Sequence, residues 1–305
     1  MTQPSLHPAV RPSQPARMTG RHLLSFDVEE YFQVEAAAAG IRSGEWDTLP
    51  QRLAPCVDRI LELLERHRAR ATFFVLGWVA RHERALVERI ARAGHEIASH
   101  GMTHQMLTRL SPGQVRQELQ DSRCLLEDIS GRRVLGFRAP TFSIVQRTAW
   151  ALEALVEAGY EYDSSIFPVR HDRYGMPQAP PMAHHACASG ASILEIPPLT
   201  LRLGRANWPV GGGGYLRLLP VDLIGWAMKR FSSQGYPAMI YLHPWELDAE
   251  QPALPMRPLD RWRHRVNLRR TESKLAWLLE RFAFASVSDC IDQLKISASR
   301  VHEYR

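Results

Sequence analysis

The alternation of strand and helix patterns along the chain is the feature that most limits its possible folds. Short apolar runs that predict buried strands are followed by stretches in which apolar residues recur with helical periodicity. Strands that alternate with helices in this way pair in parallel, joined by right-handed crossovers. About seven such units favour an incomplete or distorted barrel over an open sheet. We therefore predict an α/β fold of that kind.

The predicted elements cover most of the 305 residues. Strands are predicted at residues 23–26, 71–76, 97–100, 134–142, 160–164, 194–197, 238–242 and 284–287. Helices are predicted at residues 54–67, 78–93, 111–129, 148–158, 221–234 and 272–282. Residues 168–192 are rich in Pro, His and Gly and predict a long surface excursion. Four consecutive glycines, Gly211 to Gly214, predict a flexible turn, because the Lys-Ser/Thr that follows a phosphate-binding loop is absent.

The domain is predicted at residues 19–290, between a disordered N-terminal tail (1–18) and a C-terminal tail (291–305). Hydrophobic content of 45% and charged content of 23% are ordinary for a globular protein. No apolar run approaches the roughly 20 residues that a transmembrane helix needs. The first 17 residues hold four prolines and no apolar core, unlike a secretory signal. We therefore expect a cytoplasmic location.

The charge distribution gives weak evidence about partners. The formal net charge is +6, and the densest basic segment, Arg257 to Arg270, holds six arginines. A solvated surface segment explains it better than a nucleic-acid groove, and we expect no nucleic-acid partner. An anionic membrane surface or an acidic polymer stays open as a partner of this segment.

Polar residues with catalytic chemistry follow several predicted strands. At the carboxyl ends of strands, where α/β folds place their active sites, such residues are expected to gather. His100 and His104 can face one divalent cation if the backbone between them makes one helical turn. That pair alone is a weak signal. The full set is Asp27, Glu29 or Glu30, His100, His104, Arg138, Asp163 and His243.

This set can support hydrolysis of an amide or an ester. Two imidazoles and one carboxylate form an open catalytic metal site, in which bound water has a pKa of about 7. A second carboxylate can take the proton of that water, and a histidine on the opposite side can protonate the leaving group. No Gly-x-Ser-x-Gly sequence occurs, and no cysteine lies beside a candidate histidine, which disfavours covalent catalysis.

Several segments together resemble the ordered motifs of the polysaccharide deacetylase family, which has the NodB homology domain and belongs to carbohydrate esterase family 4. The resemblance covers about residues 20 to 250. Two further runs, Gly-Tyr-Leu-Arg-Leu-Leu-Pro and His-Pro-Trp-Glu, are similar to a subgroup found at bacterial exopolysaccharide and exosortase (PEP-CTERM) loci. The family segments are Phe26-Asp-Val-Glu-Glu, Ser99-His-Gly-Met-Thr-His104, Arg138-Ala-Pro-Thr-Phe142, Asp163-Ser-Ser and Leu242-His-Pro.

The resemblance implies a distorted (β/α)7 barrel and metal-dependent removal of acetyl groups from an N-acetylated glycan, with a subgroup-specific part from about residue 200. It implies that Asp27 is the general base, held by Arg138, and that His100 and His104 bind the metal, with zinc favoured. It implies that His243 is the general acid, oriented by Asp163. Residues implied to shape the groove or bind substrate are Pro140, Phe142, Leu242 and Trp245.

Two departures from the family pattern leave questions open. Val28 separates the acids that are adjacent in the family, so the third metal ligand is Glu29 or Glu30, and the spacing favours Glu29. The fourth motif lacks its tryptophan, for which Phe167 is a candidate substitute. For Trp245 and Glu246, packing and loop anchoring are favoured over catalysis. A cyclic-amide hydrolase of the allantoinase kind and a non-catalytic glycan-binding protein are the alternative functions, and the oligomeric state is not predicted.

Overall fold

The computed structural model describes residues 20–171, 173–204, 206–298 and 300–304, so the predicted tail at residues 1–18 lies outside the described residues. The strands in these residues are β1 (Arg21–Val28), β2 (Thr72–Val75), β3 (Glu96–Ser99), β4 (Gly136–Phe137), β5 (Tyr162–Asp163), β6 (His184–Ala188), β7 (Ala191–Glu195), β8 (Thr200–Leu203), β9 (Ala206–Pro209), β10 (Met239–Leu242), β11 (Ala283–Ala285) and β12 (Val301–Glu303). The helices are α1 (Leu53–Arg66), α2 (Gly77–His82), α3 (Arg84–Arg92), α4 (Pro112–Ser130), α5 (Ala151–Glu157), α6 (Gly213–Leu218), α7 (Val221–Ser233), α8 (Pro258–Arg265), α9 (Thr271–Arg281) and α10 (Ile291–Ser297).

Parallel strands form the centre of the molecule and confirm the predicted α/β class. They lie in the order β10-β1-β2-β3-β4-β5-β7, with β6 antiparallel to β7, β12 beside β6, and β11 beside the start of β1. Between β7 and β10, irregular chain replaces regular pairing. The N–H of Leu199 donates to the carbonyl of Met239 (2.9 Å), and the N–H of Tyr241 donates to the carbonyl of Gly211 (2.8 Å). The ring is therefore closed by isolated hydrogen bonds, which makes the barrel a distorted one.

The inner strands are buried on both faces, which explains their continuous apolar runs. Every residue of β2, β3 and β10 is buried, and helices pack around them. The longest of these helices, α4, begins with a capping box in which Ser111 and Gln114 bond to each other's backbone N–H. None of the described helices combines the length and the apolar character needed to cross a bilayer.

The structure differs from the sequence prediction in several segments. The helix predicted at 78–93 is two helices, separated at Glu83, whose backbone is not helical. The strand predicted at 134–142 is only two residues long, because Thr141 and Phe142 turn the chain at φ +56° and +50°. The predicted excursion at 168–192 ends in β6, where His184 is fully buried. The segment predicted as a tail from residue 291 contains α10 and β12, and β12 extends the sheet.

Candidate active site

The carboxyl ends of β1, β3, β4 and β10 meet around one cavity of about 490 Å³. Parallel strands bring their carboxyl ends to the same edge of a sheet, so residues far apart in the sequence come together here. The cavity lies at the mouth of the barrel. The predicted site residues that line it are Asp27, Glu29, His100, His104, Phe142, His243 and Trp245.

Glu29, His100 and His104 form a group that fits a divalent metal ion. Each contributes one ligand atom, and these atoms all lie within 4.8 Å of one another. Nε2 of His104 lies 2.5 Å and Nε2 of His100 3.8 Å from Oε2 of Glu29. That oxygen is buried, so both histidines approach it away from solvent. Nδ1 of His100 is 2.8 Å from the carbonyl of Arg138, so it carries the proton and leaves the Nε2 lone pair for an ion.

The protonation states of Glu29 and His100 suit metal binding at neutral pH. Burial opposes the charge of Glu29, but the attraction of His104, His243 and His100 outweighs it and lowers the pKa of Glu29 to about 2. Burial also lowers the pKa of His100 to about 4. The carboxylate is therefore charged and this imidazole neutral, as metal ligands must be.

The loop that carries the two histidines is not the helical turn that the sequence suggested. Gly101 and His104 both adopt positive φ values, +77° and +54°, and this bends the chain so that the two rings lie 5.3 Å apart. Glu118 of α4 holds the loop, because its carboxylate accepts the N–H groups of Met102 (2.7 Å) and Thr103 (3.1 Å). Glu118 was not predicted from the sequence, because it lies inside α4 and belongs to no recognisable sequence motif.

Glu30 faces away from the histidines. Its Oε1 accepts the N–H groups of Arg52 (2.7 Å) and Leu53 (2.9 Å) at the start of α1. Burial raises the pKa of Glu30 to about 7. Of the two acids that the sequence left open, the structure therefore brings Glu29 to the histidine pair, and Glu30 caps a helix instead.

Asp27 and Arg138 form a buried ion pair beside this group. Nη1 of Arg138 donates to Oδ1 of Asp27 at 2.6 Å and to Oγ of Ser25 at 3.0 Å. Nη2 donates to Oγ of Ser164 at 2.9 Å, and the guanidinium lies 4.1 Å from the centre of the Phe74 ring. Arg138 is fully buried, so its position is fixed on all sides. The pair leaves Oδ2 of Asp27 facing the cavity.

His243 lies on the other side of the cavity, at the end of β10. Its Nε2 is 3.9 Å from Oδ2 of Asp27 and 3.7 Å from Oε1 of Glu29, and its Nδ1 is 2.7 Å from Oε1 of Glu246. Burial alone would lower the pKa of His243, but the carboxylates of Glu246, Glu29 and Asp27 outweigh it and raise the pKa to about 9. The imidazole is therefore charged at neutral pH and able to donate a proton.

The structure does not bring Asp163 to His243. Oγ of Ser165 donates to Asp163 at 2.5 Å and accepts the N–H of Ala139 at 2.7 Å. Asp163 also lies opposite Glu195 on the neighbouring strand, and burial raises the pKa of Asp163 to about 6. Within the part of the chain that the structure describes, no contact joins Asp163 to His243. Asp163 supports the backbone before Pro140 instead.

The remaining predicted groove residues divide into two classes. Phe142 and Trp245 line the cavity; Phe142 packs against Tyr241, with 4.9 Å between ring centres. Pro140 and Leu242 are buried and, among the described residues, do not border it. Phe167, the candidate substitute for the missing tryptophan, is also fully buried and packs behind Phe142 at 5.2 Å.

Comparison with known families gives two matches along the chain. Residues 45–162 match the family described as polysaccharide deacetylase. Residues 164–292 match a domain of unknown function, DUF3473. The deacetylase match includes His100, His104 and Arg138, the DUF3473 match includes His243, and Asp27 and Glu29 precede both.

Two curated relatives are named as deacetylases, and one solved structure shares the fold. A chitooligosaccharide deacetylase from Bradyrhizobium sp. (strain ANU 289) is 41% identical over 64 residues, 21% of this chain and 29% of the relative. The peptidoglycan-N-acetylmuramic acid deacetylase PdaC of Bacillus subtilis (strain 168) is 34% identical over 83 residues, 27% of this chain and 18% of the relative. This chain therefore spans less than a third of those relatives. A structure from Mycobacterium smegmatis named after the same family has the same fold, with TM-score 0.63, 19% identity and 97% of each chain covered.

Proposed function

We propose that this protein removes N-acetyl groups from an amino-sugar oligosaccharide or polysaccharide by metal-dependent hydrolysis. One observation carries the proposal. A candidate base, Asp27, and a candidate acid, His243, flank the metal-binding group of Glu29, His100 and His104 in a single cavity. This is the arrangement that hydrolysis of an amide requires, with one proton removed on one side and one delivered on the other.

The protein's own residues account for the proton transfers. A divalent ion, with Zn²⁺ favoured by the donor set, would polarise the acetamide carbonyl and acidify a water molecule. Asp27 then accepts the proton of the attacking water, and Arg138 holds Asp27 in position through the hydrogen bond of 2.6 Å. His243 gives the proton on Nε2 to the nitrogen of the sugar when the amide bond breaks. The products are acetate and a free amine.

The substrate class follows from the cavity and from the relatives. A cavity of about 490 Å³ is in the range of small-molecule sites and has room for a sugar residue. Phe142 and Trp245 offer aromatic surface at its wall. The names of the relatives refer to deacetylation of chitooligosaccharide and of N-acetylmuramic acid in peptidoglycan, which supports an N-acetylated glycan here.

The test is acetate release from N-acetylglucosamine oligomers and from peptidoglycan fragments. We expect wild-type protein loaded with Zn²⁺ to release acetate, and a chelator to abolish the release. His100→Ala should lower the rate by at least about 100-fold, since it removes a metal ligand. His185→Ala, at a half-buried histidine on β6, is the matched control and should stay within about twofold of wild type. Absence of acetate from every glycan with the metal-loaded wild type would contradict the proposal.

The two alternative functions are tested in the same assay. Ring opening of a cyclic amide such as allantoin, without acetate release from glycans, would favour the cyclic-amide hydrolase. Glycan binding without turnover would favour the non-catalytic protein. The departure from the family pattern at Val28 is the main argument for the non-catalytic protein. That argument is weakened because Glu29 lies close to both His100 and His104.

The last part of the proposal concerns the biological role of the reaction. We place the reaction in exopolysaccharide or cell-envelope biosynthesis, in the cytoplasm, on the basis of the sequence resemblance. Cell fractionation tests the location. Loss of free amines from the surface polysaccharide of a deletion strain would support the role, and an unchanged degree of acetylation would contradict it.

A further inference from the structure

We propose that Glu246, held by Arg217 and fitted against Gly213, is the residue that positions the imidazole of His243. This proposal rests on the proposed function, because it concerns the residue that we assign as proton donor. The family resemblance gave the orienting role to Asp163, and analysis of the sequence favoured packing and loop anchoring for Glu246. The contacts of these residues point to Glu246 instead.

Both carboxylate oxygens of Glu246 are engaged. Oε1 accepts the backbone N–H of His243 at 3.1 Å and the ring Nδ1–H at 2.7 Å, and Oε2 accepts Nε–H of Arg217 at 2.7 Å. Glu246 is fully buried. A carboxylate on Nδ1 fixes the rotation of the ring, so that Nε2 is directed into the cavity between Asp27 and Glu29.

Arg217 is in turn fixed by the end of a helix. Its Nη1 donates to the carbonyls of Arg263 (3.1 Å), His264 (2.8 Å) and Val266 (3.1 Å). These carbonyls lie in the last turn of α8 or just after it, where a helix leaves carbonyls unpaired. Arg217 is only 4% exposed, so its charge has no alternative partner in bulk water. Glu246 is therefore held between a fixed cation and the ring of His243.

The glycine run gives Glu246 the space that it occupies. A Cβ atom at Gly213 would lie 1.9 Å from Oε1 of Glu246, and one at Gly212 would lie 2.5 Å from the hydroxyl of Tyr241. Gly211 to Gly213 are buried. The prediction of a flexible turn is therefore wrong, because these glycines permit a close approach of the backbone to the site.

Asp163 has a different set of partners. Its carboxylate is bound by Ser165 and lies opposite Glu195 of β7. A role in orienting His243 would require a contact that the described residues do not make. The two carboxylates can therefore be compared directly by experiment.

The first experiment compares two glycines in helices with the same substitution. Gly213→Ala places a methyl group against the carboxylate of Glu246, whereas a methyl group at Gly113, near the start of α4, would have no described atom within 4 Å. We expect Gly213→Ala to lower kcat about 10- to 100-fold with KM nearly unchanged, since the proton donor is misplaced while substrate contacts remain. Gly113→Ala should keep kcat within about twofold of wild type. Equal effects of the two substitutions would overturn the proposal.

The second experiment needs no enzymatic activity. A ring N–H that donates to a carboxylate gives a proton resonance far downfield in NMR, and His243→Gln assigns the signal of His243 by its loss. We expect Glu246→Gln to remove or strongly shift that signal and Asp163→Asn to leave it in place. A signal that survives Glu246→Gln and disappears in Asp163→Asn would overturn the proposal.

The two experiments separate this proposal from the proposed function. If the metal-loaded wild type releases no acetate but the signal of His243 depends on Glu246 and on Gly213, the positioning role stands and the function fails. If Glu246→Gln does not fold, as judged by circular dichroism, the same NMR measurement is made on Gly213→Ala. If the signal of His243 is then unchanged in Gly213→Ala, the positioning role is refuted.

Discussion

The acidic residues at the end of β1 show how a separation of one residue brings two carboxylates to the same cavity. Asp27 is the last residue but one of β1, Glu29 directly follows the strand, and both line the cavity. Val28 between them is fully buried in the core, and Glu30 turns to the start of α1. The sequence favoured Glu29 over Glu30 because a single residue, Val28, separates Glu29 from Asp27.

Substitution of the two glutamates separates their roles. Glu29→Gln removes the charged ligand atom, and we expect the affinity for Zn²⁺ to fall at least about 100-fold in isothermal titration calorimetry. Glu30→Gln keeps an oxygen that can accept the N–H groups of Arg52 and Leu53, so the affinity should stay within a few-fold of wild type. The reverse order of the two affinities would show that the metal site is assigned to the wrong acid.

The ion pair of Asp27 and Arg138 also contributes to stability. Arg138→Met leaves Asp27 buried without a partner, and breaking a buried pair in this way costs about 3–5 kcal/mol of unfolding free energy. Arg133→Met breaks the pair with Glu161 at 3.3 Å, in which the arginine is 69% exposed. This control should cost less than about 1 kcal/mol. Urea denaturation measures both, and equal losses would argue against the buried pair as a stabilising contact.

At the scale of elements, the sequence was most informative where periodicity was strong. The predicted helices at 54–67, 111–129 and 221–234 correspond to α1, α4 and α7 within a few residues, because each carries a long apolar stripe. Strand β6 was missed because His-His-Ala-Cys-Ala has no apolar or β-branched run. It is buried by contacts with β7 and β12, which are not visible in the local sequence.

Helix α4 has a role in the site that depends on one of its side chains. Glu118→Ala removes the acceptor for the N–H groups of Met102 and Thr103, which hold the loop of His100 and His104. Since residues that support metal ligands typically contribute 10- to 100-fold to affinity, we expect the affinity for Zn²⁺ to fall by about that factor.

The control for Glu118→Ala is a substitution that weakens the same helix without touching the loop. Ser111→Ala removes the N-cap of α4 and should cost about 1 kcal/mol of unfolding free energy. It should leave the affinity for Zn²⁺ within about twofold of wild type. A similar loss of affinity in both variants would mean that Glu118 acts through helix stability alone.

At the scale of the whole molecule, strand order explains which residues could be found from the sequence. Asp27 and His243 are more than 200 positions apart, but β1 and β10 are neighbours, and residues at the ends of parallel strands were predicted to gather. Arg217 and Glu246 were not assigned to the site. They lie on a short helix and on a turn, and only the closure between β7 and β10 brings them together.

Buried histidines are spread through the fold and make its stability depend on pH. Burial lowers the pKa of His22, His95, His184 and His264 to about 4. An unfolded histidine has a pKa near 6.5. Between pH 6.5 and 4 the unfolded state therefore binds more protons at these residues, so their contribution to stability is full above pH 6.5 and decreases as the pH falls. Glu30 and Asp163, with raised pKa values, oppose this trend.

A comparison of variants isolates one of these histidines. Nδ1 of His22 accepts the N–H of Ala238 at 3.2 Å, a bond that protonation would destroy. In His22→Asn, an amide oxygen can replace this acceptor without titrating. We expect the loss of unfolding free energy between pH 7.5 and 4.5, measured by urea denaturation, to be smaller than in wild type by up to about 3 kcal/mol. His67→Asn, at a half-exposed histidine that follows α1, is the control, and an equal change in both variants would contradict the role of burial.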